Sequence, residues 1–403
     1  ISIPLRFFLL APIAWCAAGL LFVFGGNAPL ISTWAPMNIA AVHLGTLGFL
    51  GAVMIGALYQ MVPVVAGSPV PKIHLAKGVH GLLIAGVGAL VYGQATGNSI
   101  VFLTAAILLA IALLVFWFPT AIALVRAPTK NETVWGMRVA MVAFVALTIL
   151  GIYMAYRRGS GDGYTTSWTS IRTAHAAIGF TTWVGGLLTA VSWQVVPMFY
   201  LTPELPLWSR RTIVIMVGFT VVTTPVAVLL DEGDFSVIAT AAPAALAVWC
   251  IHPITVLMAI ARRRRRRKDP SLLFWRTGLI CAPIIFVLGV GTLLNDTPVW
   301  LLAFGWLIIG GWAGLIIHGM LTRIVPFLVW FHRFAPLVGK VPIIPMRRML
   351  SARRVRVGFA THMVAVIMGL VAIISMELIA ARMFGASLIV AGCVLGSNLI
   401  TVA

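Results

Sequence analysis

Stretches of about twenty consecutive apolar residues recur along the whole chain, separated by short segments that carry most of the charge. A hydrocarbon layer about 30 Å thick is crossed by roughly 20 residues of α-helix, so each stretch predicts a transmembrane helix. The pattern places spans at 5–25, 36–65, 75–94, 99–123, 134–156, 171–200, 211–230, 236–260, 272–293, 297–330, 357–376 and 383–402. This predicts an all-α polytopic membrane protein of twelve helices. The opening ISIPLRFFLLAPIAWCAAGLLFVF has no small-residue cleavage signal and reads as the first span. Nothing reads as a separate soluble domain, so residues 1–403 are expected to form one membrane domain.

The polar positions inside the apolar runs repeat. ALYQMVPVV at 57–65, VSWQVVPMF at 191–199 and MLTRIVPFL at 320–328 each put a polar residue three places before a proline. The pairs are Gln60 with Pro63, Gln194 with Pro197 and Arg323 with Pro326. The prolines are 134 and 129 residues apart, close to a third of 403. They fall near the same ends of spans 2, 6 and 10, so the repeating unit is four helices, at approximately 1–125, 126–262 and 270–403. An even number of helices preserves orientation, which makes the pseudo-repeats parallel. Upstream, HLGTLGF at 43–49 pairs with HAAIGF at 175–180, and the third unit offers only FGW at 304–306.

Composition agrees: 61% of residues are hydrophobic, 9% are charged and the mean hydropathy is +1.06, more apolar surface than a soluble protein of this length hides. The net charge of +19 would suit nucleic acid, but its placement suits a membrane. With the N-terminus in the cytoplasm, all of the 28 Lys and Arg except Arg157, Arg158, Arg172 and Arg382 lie inside. The acids Asp231, Glu232, Asp234 and Asp296 then lie outside. That asymmetry predicts a bacterial inner (cytoplasmic) membrane protein with both termini cytoplasmic. The run from Arg262 to Lys268 is expected to rest on anionic lipid or to dock a cytoplasmic partner, and nucleic acid is not expected. Cys16, Cys250, Cys281 and Cys393 form no CxxC pair, so neither a disulfide framework nor a zinc site is indicated.

A histidine inside a membrane helix is unfavourable unless paired, so each one is a candidate. His43 and His175 open repeated helices at the outer surface, and His318 lies in span 10 just before Arg323. His80, His252 and His362 fall toward the inner ends of spans 3, 8 and 11, with His74 and His332 in inner loops, where headgroup or backbone hydrogen bonds are expected. Neutral imidazole ligates haem b, and it also ligates copper, so two histidines on two helices suit either metal or none. Arg323 either snorkels to the headgroups or pairs with a carboxylate of a cofactor or an anionic substrate. No CxxCH, HExxH, GxxxxGK or dinucleotide fingerprint is present. The scarcity of acids inside the spans weakens an ordinary proton-coupled transporter.

Twelve spans, three parallel four-helix units and a histidine at the outer start of span 2 resemble subunit I of the haem-copper oxidases and the related NnrS-type membrane proteins. The resemblance implies a low-spin haem b held by a histidine of span 2, matching His43, and one of span 10, where His318 is the sole histidine. His175 falls in the span that carries a copper ligand in that family. Span 7, RTIVIMVGFTVVTTPVAVLL, lacks the family's histidine pair. The double histidine of span 10 and a histidine–tyrosine pair after His175 are missing as well. A divergent relative without a complete binuclear copper site is therefore implied: a haem-b-binding electron-transfer protein, an oxidoreductase subunit exchanging electrons with quinol or a partner subunit. His43, His175 and His318 are its candidate metal ligands, with Arg323 beside the cofactor. A small-solute or metal-ion transporter, or a non-catalytic structural subunit of a membrane complex, remain alternative readings of the same residues.

Overall fold

The structure is a computed structural model that describes every residue except 1, 162–166, 265–267, 296, 341 and 403. The centre of the Arg262–Lys268 run and Asp296 therefore lie outside the described residues. Among the described residues there is no strand. Twelve helices are long and apolar enough to cross a membrane: α1 (Ile3–Gly25), α2 (Pro36–Val65), α3 (Ile73–Thr96), α4 (Ser99–Val125), α5 (Glu132–Ser160), α6 (Trp168–Tyr200), α7 (Leu207–Leu229), α8 (Gly233–Ala261), α9 (Ser271–Leu294), α10 (Pro298–Arg333), α11 (Ala352–Ser375) and α12 (Leu378–Val402). The protein is an all-α polytopic membrane protein, and the hydropathy boundaries fall within a few residues of the helix ends.

The helices pack as two units. One comprises Ile1–Ala57 with Arg267–Ala403, the other Leu58–Arg266. In the first unit α1 and α12 lie against each other through glycine. A Cβ on Gly19 would stand 2.5 Å from the Gly385 carbonyl oxygen, and one on Gly385 equally close to that of Gly19. In lipid, where apolar side chains gain little by leaving the solvent, such backbone approach is what holds helices together.

The repeat has a backbone signature. α2, α6 and α10 each widen into a π-helical segment, Leu44–Gly51, Ile178–Val184 and Leu307–Gly314. Each segment starts nineteen residues ahead of its proline, Pro63, Pro197 or Pro326. Twelve residues ahead of each proline stands a glycine, and the widened turn brings the carbonyl five residues upstream against it. A Cβ on Gly51 would lie 2.8 Å from the Thr46 oxygen, one on Gly185 2.9 Å from that of Phe180, and one on Gly314 closer still to that of Ile309. Only glycine leaves room for that oxygen.

Packing follows the same register. Seven residues ahead of the prolines, the small residues Gly56, Ala190 and Gly319 receive the preceding odd-numbered helix. A Cβ on Gly56 would meet the Phe7 Cβ at 2.8 Å, one on Gly319 the Phe274 Cβ at 2.6 Å, and one on Gly136 the Ala190 Cβ at 2.6 Å. Fourteen residues ahead come the buried aromatics Phe49, Trp183 and Trp312. Trp15 stacks on Phe49 at 4.7 Å, and Phe144 lies 4.5 Å from Trp183. This register corrects the expected match of HLGTLGF with HAAIGF. His43 stands level with Ala177 and Trp306, and His175 with Ala41 and Phe304, so the two histidines are offset by two residues and are not equivalent.

Orientation in the bilayer is a prediction. On a background with the four native cysteines replaced by serine, Glu232→Cys and Lys340→Cys each place a thiol at an exposed position between spans. Membrane-impermeant maleimide added to intact cells should modify position 232 and spare 340. Labelling of 340 alone would invert the assignment.

Candidate functional site: a buried histidine pair

Inside the first unit a buried histidine pair joins α10 to α11. His318 lies eight residues before Pro326, where the other repeats carry Ile55 and Thr189. It is 1% exposed, as is His362 of α11, and their Nδ1 atoms are 3.0 Å apart. The Nε2–H of His362 donates to the Gly310 carbonyl at 3.0 Å, inside the π segment of α10. That bond fixes the tautomers in series. His362 is protonated at Nε2 and bare at Nδ1, so the Nδ1–H of His318 must be the donor between the rings. The lone pair of His318 is then at Nε2, which has no hydrogen-bond partner among the described residues. It faces Gly358, where a Cβ would stand 3.2 Å from Nε2 and 3.3 Å from the Asn398 amide nitrogen.

Aromatic rings enclose the pair. Phe274 of α9 lies 4.6 Å from the His318 ring, and Trp15 of α1 lies 5.7 Å from the His362 ring. Trp15 in turn reaches Phe49 and Trp306, and the Trp306 indole N–H donates to the Val366 carbonyl at 3.0 Å. An unpartnered imidazole nitrogen between such walls carries a larger free-energy penalty than a hydrogen-bonded one, by about 1–3 kcal/mol.

Five residues after His318 on α10, Arg323 forms an ion pair with Asp269. Its Nε also donates to the Ser271 hydroxyl at 3.1 Å, and that hydroxyl donates to Asp269 at 2.7 Å. Burial pushes the Asp269 carboxyl up, but Arg323 and the Ser271 donors outweigh it and hold the group below its ordinary range. The partner of Arg323 is thus a residue of the chain itself. The equivalent Gln60 is half-buried and Gln194 is exposed.

The second unit has a smaller analogue. His252 of α8 is fully buried and meets the Ser192 hydroxyl at 2.8 Å. Since that hydroxyl donates to the Thr189 carbonyl at 2.7 Å, the imidazole supplies Nε2–H and is bare at Nδ1, again without a partner among the described residues.

The remaining sequence candidates are placed as follows. His43, half-buried, donates Nδ1–H to the Ile39 carbonyl at 2.7 Å, and His175, half-buried, donates to the Leu147 carbonyl at 3.1 Å. Both carry the tautomer of a ligating imidazole, lone pair at Nε2. His43 belongs to the first unit and His175 to the second. His43 and His318 are not placed to share one iron. A Cβ on Gly45 would stand 2.9 Å from Ile309, which sets α2 and α10 in register. His318 therefore lies eleven residues deeper than His43, roughly 16 Å along the helices at 1.5 Å per residue. Two nitrogens on one metal sit about 4 Å apart, given bonds of about 2 Å. The Nε2 of His318 is also covered by Gly358 and Asn398, with no room for a porphyrin face. Haem does not fit at His318. Among the described residues no group of three or more His, Cys, Asp or Glu is gathered for a metal.

His252 and His362, expected to make headgroup or backbone hydrogen bonds near helix ends, are both buried, and His362 makes its backbone bond deep inside, to Gly310. The signal was there. His362 lies ten residues into a 24-residue span, four residues after Gly358, where a small residue admits a neighbouring ring. No protein-family model matches the chain, and no curated protein matches it.

Proposed function

We propose that the chain is a membrane transporter that passes a small cation through the interior of its first unit. The observation that carries this reading is the His318–His362 pair, two neutral imidazoles in series with one bare nitrogen, enclosed by the aromatic rings of Phe274 and Trp15. Uncompensated ionisable groups at such depth are unfavourable for stability alone, and in membrane proteins they mark ion pathways. Arg323 lies on the same helix as His318, five residues nearer its basic end, and pairs with Asp269 just ahead of α9. Purified protein in planar bilayers, bathed in symmetrical potassium, sodium or dilute acid solutions, should pass current above the protein-free bilayer in at least one of them. His318→Gln should reduce that current at least tenfold. Current indistinguishable from the protein-free bilayer in all three solutions would remove the reading.

A second reading, haem-b electron transfer, rests on the Nδ1–H to carbonyl bonds that fix the ligating tautomer in both His43 and His175. Bound at either histidine, haem would supply a one-electron centre, with that imidazole as one of its ligands. Oxidised and dithionite-reduced spectra of the purified protein decide: a Soret band lost in His43→Ala or His175→Ala but kept in His318→Ala supports it. A folded preparation without haem from a haem-sufficient host removes it.

A further inference from the structure

We infer that the His318–His362 pair is a proton-binding relay aligned across the membrane, which makes the hydrogen ion the cation of the transport reading on which this inference rests. The alignment comes from where the two outer nitrogens point. The bare Nε2 of His318 faces Gly358, four residues from His362 toward the basic end of α11. The Nε2–H of His362 points to the carbonyl of Gly310, eight residues from His318 toward the opposite end of α10. The pair therefore has its acceptor toward one membrane face and its donor toward the other, joined by a 3.0 Å Nδ1–H···Nδ1 bond.

The transfer balances. A proton delivered by water to Nε2 of His318 releases the Nδ1 proton to Nδ1 of His362, and the Nε2 proton of His362 passes to a water molecule that reaches it beside the Gly310 carbonyl. One proton enters, one leaves, and both rings end neutral in the opposite tautomer. Rotation of the two rings restores the starting state. While charged, the pair is stabilised by Phe274 and Trp15, whose rings lie within the roughly 6 Å over which aromatic faces attract a cation. Turning the Asn398 amide end for end would present its oxygen to the new Nε2–H.

Few other charges face the pair. Toward the basic end lie Arg323 with Asp269, and Arg354, whose guanidinium donates to Ser397 at 3.2 Å. The thiols Cys16, Cys281 and Cys393 are on α1, α9 and α12, His43 lies nearer the other end of α2, and Arg276 of α9 is exposed. Among the described residues no carboxylate stands beside the pair, so a proton taken up there is held by the two imidazoles themselves.

The test uses full-length protein in lipid nanodiscs with ¹⁵N-labelled histidine, titrated from pH 8 to pH 4. Wild type should show a ring signal that changes from neutral to doubly protonated and is missing in His318→Gln but kept in His252→Gln. Gly358→Ala retains both rings and sets a methyl 3.2 Å from Nε2, so it should shift this midpoint or abolish the change. An identical titration in wild type, His318→Gln and Gly358→Ala would overturn the inference, as would a wild-type pair that stays neutral to pH 4. The titration is independent of the bilayer currents. Protonation without current would refute transport and leave the proton site standing. Current without protonation would do the reverse.

Discussion

Gly314→Ala is expected to destabilise the protein by roughly 2–3 kcal/mol, at the upper end for overpacking a helix interior. The added methyl would collide with the Ile309 carbonyl oxygen, a backbone atom of the same helix, and no side-chain rotamer relieves that. The turn can accommodate it only by narrowing from π toward α geometry. That would rotate everything downstream of it, His318 included, about the axis of α10. Gly305→Ala is the control. On the same helix nothing lies within 4 Å of its Cβ position, and alanine there gains about 0.5–1 kcal/mol of helix propensity. Thermal unfolding in detergent should show a clearly lower midpoint for Gly314→Ala, and one unchanged or raised for Gly305→Ala. Equal midpoints would mean that the π segment does not depend on its glycine. Gly51→Ala and Gly185→Ala should behave like Gly314→Ala, because each faces the carbonyl five residues upstream in its own helix.

Arg323→Gln is expected to lower stability by about 1.5–3 kcal/mol, the range for losing hydrogen bonds to a charged group. Removing one member of a deeply buried pair would lower it by about 3–5 kcal/mol, but 28% of the Arg323 side chain and 17% of that of Asp269 stay exposed. The substitution introduces the residue that the other two repeats already carry there, so helix packing itself should tolerate it. The loss should come from Asp269, left partly buried with the backbone N–H and hydroxyl of Ser271 still donating to it. Asp269→Asn in the same chain should then recover most of it, and a double-mutant cycle by thermal unfolding isolates the pair. A second substitution that adds to the first, with no coupling, would refute the ion pair as a stabilising contact. The pH dependence has a definite sign. Because the folded carboxyl titrates below its ordinary value of 3.8, its contribution is complete above that value. It fades as acid takes the pH down through the folded pKa. Wild type should therefore lose stability in acid, and Arg323→Gln should lose less.

The span pattern was almost wholly legible in the sequence because a bilayer imposes one length and one polarity on every crossing segment. α2 begins and ends where hydropathy placed it, and α10 differs by a few residues because it continues through Phe331 to Arg333 beyond its proline. The repeat was legible from its prolines but not in its upper half, where matching histidine to histidine displaced the alignment by two residues. Glycines 51, 185 and 314 carry the true register, yet in helices rich in glycine for packing they could not be told apart before the Thr46, Phe180 and Ile309 carbonyls were seen beside them. The site was half-legible. His318 stands out in the sequence only as a candidate metal ligand; its partner is 44 residues away on another helix, and spacing along the chain does not reveal which helices meet. Scarce acids counted against proton chemistry only on the assumption that carboxylates must carry the proton. Paired imidazoles carry it without a permanent charge.

The contact between α1 and α12 sets a schedule for biosynthesis. α1 leaves the ribosome well ahead of the helix that covers its Gly19, which starts at Leu378. At about 5–20 residues per second, α1 waits on the order of 20–70 s in the membrane before that partner is made. The segment Leu58–Arg266 is continuous in sequence and has all its own helices long before then. The histidine pair, built from α10 and α11 and closed over by Asn398 of α12, is completed only after all three of those helices have been made.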